Sequence, residues 1–130
     1  MAKGTPMQIV PVGEVRRISE AESIIKILPK YGDGLHRVAA GDWLDVLYWM
    51  HKLDPDRRKL LKVHPRGDMS RPLKGVFGLR SPMRPNPIGV TTVRVKRVEQ
   101  DALLVAALDA EDGSPVIDIK AAASRAAHRS

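Results

Sequence analysis

Hydrophobic and polar positions alternate along much of the chain, and a period of two predicts strands rather than helices. Gly89 to Val98 (GVTTVRVKRV) shows it most cleanly: Val93 and Val95 fall on one face, Arg94 and Lys96 on the other. Two β-branched runs, Gln8 to Ile18 and Ser23 to Leu28, predict two more strands, with Pro11 and Gly13 marking an edge or bulge in the first. Pro29 and the triplet Gly32-Asp33-Gly34 close the second with a turn. Trp43 to Leu53 (WLDVLYWMHKL) fits two periods. Trp43, Leu47 and Met50 suit a helix, Leu44, Val46, Tyr48 and Met50 suit a strand, and the strand-rich surroundings favour a strand. Ala102 to Leu108 (ALLVAAL) is apolar throughout and predicts a strand buried on both faces, reached through a hairpin turn at Glu99-Gln100-Asp101. Val116 to Ile119 is a last short strand. The expectation is a single, mainly β domain over residues 1–120, a small barrel of short strands, followed by a flexible tail over 121–130.

Composition narrows the classes. At 130 residues, 43% hydrophobic and 28% charged, the chain has the size and balance of one globular domain. It has no cysteine, which excludes disulfides, thiolate metal sites and a cysteine nucleophile. No apolar run approaches a membrane span, and the N-terminus lacks the apolar middle of a signal peptide, which points to the cytoplasm.

Charge changes the picture more. The net charge is +7, and Arg57 to Arg97 alone carries twelve Lys and Arg against one acid, Asp68. That stretch is +11 and the rest of the chain is −4. It also holds five of the ten prolines, and Arg forks on stiff proline loops suit an anionic ligand better than solubility alone requires.

Candidate chemistry concentrates in two places. Gly75 to Gly89 (GVFGLRSPMRPNPIG) sets Arg80, Ser81, Arg84 and Asn86 among three prolines, a rigid loop with polar side chains. Arg84, Asn86 and Ser81 are candidates for orienting a substrate or for setting the loop. Leu108 to Lys120 (LDAEDGSPVIDIK) carries a tight Asp-Gly-Ser-Pro turn before a strand. His36, His51, His64 and His128 have no metal-ligand spacing, so no metal is expected. There is no P-loop, no GxSxG and no GxGxxG, which removes the usual way of holding a nucleotide cofactor.

Taken together, the two stretches resemble the TsaA-like family, also called YaeB or TrmO, whose pattern reads roughly GVFxTRSPxRPNPIG and then LDxxDGTPVxDIKPY. Leu47-Tyr48-Trp49-Met50-His51-Lys52 is similar to the family's strand ending in an aromatic and a His, and the resemblance runs from about Ile9 to Lys120. It implies a small non-Rossmann β-barrel that binds S-adenosyl-L-methionine, acts as a homodimer and methylates N6 of a modified adenosine beside the tRNA anticodon. Carried over position by position, the cofactor contacts would be His51, Lys52, Arg80, the backbone at Val90, and Asp112, Gly113, Ser114 and Pro115. No catalytic base is implied. The resemblance leaves Arg57, Arg58, Lys59, Lys62, Arg66, Arg71 and Lys74 free for phosphate. The chain departs from the pattern at Arg16 to Ser23, where a Pro-Arg-Gln segment is missing, at Gly41-Asp42-Trp43 in place of Phe-Ser-His, and at Ala121-Ala122 in place of Pro-Tyr. The added C-terminal domain of longer members is not in the sequence. Two alternatives therefore stand beside tRNA methylation: the same chemistry on a small molecule, or a nucleic-acid-binding barrel with no activity.

Overall fold

Alternation along the chain closes into a ring of antiparallel strands in the computed structural model, which describes residues 4–123. The strands are β1 (Gly13–Arg17), β2 (Glu22–Ile27), β3 (Trp43–Trp49), β4 (Lys62–Val63), β5 (Lys74–Gly75), β6 (Ile88–Glu99), β7 (Ala102–Ala106) and β8 (Pro115–Ala121). Six of them form a closed barrel in the order β1-β2-β7-β6-β3-β8, while β4 and β5 pair separately as a two-stranded arm. Registers such as Val15↔Ile25, Ile25↔Leu103 and Leu44↔Val93 put one set of alternate residues inside. Val15, Ile25, Val46, Leu103, Val105 and Val116 are fully buried there, and closure leaves none of the six barrel strands at an edge. Tyr31, Leu35 and Val38, on and just after a 3-10 turn over Pro29–Leu35, pack on this core and close one end of the barrel.

The differences from the sequence expectation have local causes. The first strand starts at Gly13, not Gln8, because Pro11 has no N–H for the ladder; Val12 donates to Val116 only just before pairing begins. The third strand ends at Trp49, where the Met50 N–H turns to the Pro87 carbonyl. β7 is buried on one face only. Leu103 and Val105 point inward, Leu104 outward, and the strand stops before Ala107, whose φ is 62°. A closed barrel has an outer face, so even an all-apolar strand in it is half exposed. The final strand runs on to Ala121, and Ala122 still donates to the Trp43 carbonyl, so the expected tail boundary moves outward. Residues 124–130 of that tail, with His128, lie outside the described residues.

Candidate functional site

The open end of the barrel gathers the C-terminal ends of β1 and β3, the N-terminal ends of β6 and β8, and the reversal 107–114 that leads into β8. Residues 50–87 leave from this end, build the β4–β5 arm and return. Between arm and rim lies a cleft of about 1980 Å³.

Prolines alone do not hold the returning loop. The Arg84 guanidinium donates to the Val76 carbonyl and twice to the Leu79 carbonyl, at 3.3 and 3.1 Å. Ser81 Oγ accepts from the Met83 N–H at 3.1 Å. Arg58 Nε donates to the Pro85 carbonyl at 2.8 Å while its guanidinium lies 5.2 Å from the Trp49 ring centre. Gly89 lets the loop meet the barrel: a Cβ there would stand 2.5 Å from the Tyr48 ring. Tyr48 is buried beneath that glycine, and its hydroxyl bonds the Asp109 carbonyl and Thr91 Oγ1. Burial pushes its phenol pKa up, with the Asp109 charge adding to it; the Thr91 bond and Arg80 pull the other way.

The opposite rim is shaped by Arg17. Its N–H donates to Asp112 Oδ1 at 2.8 Å, and its Nη1 donates to the carbonyls of Leu108 and Ala110 at 3.2 and 3.1 Å. Gly113 holds φ at +83°, a conformation costly for a side chain, and so turns the buried Ser114 inward. Ser114 Oγ donates to the Glu111 carbonyl at 2.6 Å and lies 3.5 Å from His51 Nδ1. Lys52 pairs with Glu111 at 3.0 Å, an exposed bridge that adds little stability but fixes two cleft side chains near each other.

The cleft thus brings together His51, Lys52, Arg80, Ser81, Arg84, Val90 and Ser114. Arg80 Nη1 stands 3.5 Å from the Val90 carbonyl. Asp112, Gly113, Pro115 and Asn86 are not on the cleft lining; Asp112 is engaged by Arg17, and Pro115 is in β8. Arg84 and Ser81 hold the loop through hydrogen bonds to its own backbone. Arg58 is a correction to the sequence expectation of a cation free for phosphate, because Pro85 and Trp49 engage it. Lys62, Arg66, Arg71 and Lys74 do line the cleft, and among the described residues their side chains have no partner. Sequence reasoning missed Arg17, Asp109 and Glu111. Arg17 gives no signal within a strand pattern, whereas both carboxylates stand inside the Leu108 to Pro115 motif and could have been marked there.

The donor set suits a zwitterion with a hydroxylated body. Arg80 offers a fork for a carboxylate, Asp109 and Glu111 offer carboxylates for an ammonium or for ribose hydroxyls, and Tyr48, Met50 and Leu53 offer apolar surface.

Residues 2–126 match the family model described as the tRNA-methyltransferase O N-terminal domain. An S-adenosyl-L-methionine-binding protein of Archaeoglobus fulgidus is 49% identical over 104 residues, 80% of this chain and 71% of the relative. A Pyrococcus horikoshii relative is 46% identical over 114 residues, 87% of this chain and 80% of its own. In structure the chain is similar to the crystal structure of TrmO from Pseudomonas aeruginosa, with TM-score 0.68 and 22% identity, over 91% of this chain and 56% of that one. That likeness covers the fold, and the chain spans little more than half the length of that structure.

Proposed function

The chain belongs to the tRNA-methyltransferase O N-terminal domain family, and from that premise we propose that it is an S-adenosyl-L-methionine-dependent methyltransferase acting on tRNA, at N6 of a modified adenosine beside the anticodon. The observation that carries this reading is the convergence of Arg80, His51, Lys52, Ser114 and the carboxylates of Asp109 and Glu111 at one barrel end, beside a row of cations. The residues present fit the cofactor. Arg80 would hold its carboxylate, Asp109 and Glu111 its ammonium and ribose, and His51, Lys52, Val90 and Ser114 would complete the wall. Asp112, Gly113 and Pro115 shape the turn that presents Ser114.

The chemistry that the cofactor supplies when bound is an activated methyl group on a sulfonium. The chain has then to align an acceptor with that methyl and keep water out, and a rigid loop braced by Arg84 and Arg58 serves alignment. The same reading makes the working unit a homodimer in the cytoplasm, and light scattering of the purified protein checks the dimer.

Calorimetry with S-adenosyl-L-methionine tests the core of the reading. Heat of binding is expected, and Arg80→Ala should weaken affinity about 10-fold or more, since a hydrogen-bonded charge pair is removed. No heat at millimolar cofactor overturns the enzyme reading. Labelled methyl transfer into total tRNA, set against a small-metabolite extract, then decides the acceptor class.

A further inference from the structure

Phe77 is the one phenylalanine of the chain, and it is 84% exposed. Its base is not loose. Val76 beside it is buried, the Val76 N–H donates to the Leu61 carbonyl at 2.9 Å, and Arg84 bonds the Val76 carbonyl. A fixed backbone therefore holds an uncovered aromatic ring over the cleft. Around the same cleft stand Lys62, Arg66, Arg71 and Lys74, cations without a partner among the described residues, with the exposed Met69 and Leu73 between them. The one acid of this stretch, Asp68, is engaged by the Ser70 hydroxyl and N–H.

Two occupants suit an exposed ring, a second copy of this chain or a flat ligand. A two-fold interface would set this face against itself, and cations would meet cations. A polyanion with bare π-faces satisfies both features at once. Stacking a base on an aromatic ring while lysines and arginines follow the backbone is the physics of single-strand binding. A duplex fits poorly, because its bases are already stacked inside.

We propose that the arm is a clamp for an unpaired RNA loop, in which Phe77 stacks one base and Lys62, Arg66, Arg71 and Lys74 neutralise phosphates. The choice of RNA rests on the function proposed above; the clamp itself is measured without methyl transfer.

Fluorescence anisotropy with a labelled RNA hairpin carrying an unpaired loop, and with the fully paired duplex of the same strand, tests it. Phe77→Ala should weaken hairpin binding about 10-fold or more with the salt dependence unchanged, and Phe77→Trp should preserve binding. Replacing Lys62 and Lys74 by Ala should lower the slope of log affinity against log salt by roughly 0.7 for every phosphate that is no longer neutralised. Duplex binding should be weaker and indifferent to Phe77. Since the ring is exposed, thermal melting of Phe77→Ala should match the parent. Equal hairpin affinity in Phe77→Ala, or no hairpin binding by the parent, overturns the clamp. So does self-association that vanishes in Phe77→Ala, which would assign the ring to a second copy. Phe77-dependent binding without methyl transfer to tRNA keeps the clamp and removes tRNA as the methyl acceptor. Methyl transfer that ignores Phe77 does the reverse.

Discussion

The barrel and the stretch 50–87 are held together by different forces. Inside the barrel, apolar side chains from six strands exclude water, and few polar side chains take part. Between residues 50 and 87 only Val76 and Pro87 are buried, and the chain is shaped by short turns and by arginines that bond backbone carbonyls. The first arrangement is cooperative and indifferent to salt. The second leaves a charged, concave surface open to solvent, with its geometry fixed locally. A protein that must offer a ligand stiff polar groups gains by separating the two: the barrel supplies stability and one rim of the cleft, and the arm and loop supply the other.

The contrast breaks most visibly if core and arm respond alike to truncation. Leu103→Ala, at a fully buried position opposite Ile25, should cost about 2–5 kcal/mol in urea unfolding. Leu73→Ser in the arm, at an exposed position, should stay within about 0.5 kcal/mol. Similar losses at both sites would mean that the arm is part of the barrel's cooperative unit.

The same contrast explains what is legible in the sequence. Alternation with a buried face leaves a mark, so β2, β3, β6, β7 and β8 lie close to where the pattern predicts them, and Val93 and Val95 point inward as expected. β4 and β5 are two residues long, too short to show any period, and the pattern does not reveal them. At the site, the surrounding prolines mark Arg80, Ser81 and Arg84. Arg17 is invisible in the sequence because its role depends on the barrel bringing β1 beside residues 108–112, more than ninety positions away along the chain. Arg58 looks like one more cation in a basic run, and only the approach of Trp49 and Pro85 shows that it is engaged.

A smaller effect sharpens the account of the loop. Arg84→Ala removes the donors on the Val76 and Leu79 carbonyls, and hydrogen bonds from a charged group contribute about 1.5–3 kcal/mol. The loss should be local. Hydrogen exchange should speed up across residues 76–87 while amides of β2 and β7 keep their protection. If protection falls equally everywhere, the loop is no separate element, and the division between frame and site is wrong.

The smallest effect falls where frame and site meet, at Tyr48. Its ring belongs to the core, yet it also lines the cleft. Tyr48→Phe leaves the Asp109 carbonyl and Thr91 hydroxyl without their partner and should cost about 1 kcal/mol at neutral pH. Alkaline pH separates this residue from its neighbours. Burial raises the phenol's pKa above the ordinary value of 10.0, so the unfolded chain releases this proton before the folded one does. The contribution is therefore whole below pH about 10 and is lost as pH rises through the folded value. Every other group is common to parent and variant, so the parent-minus-variant difference isolates Tyr48. That difference should be constant up to about pH 10 and shrink above it as the parent loses its extra stability. A difference that stays constant to higher pH would mean that the hydroxyl is solvated, and that the barrel's packing stops short of the cleft floor.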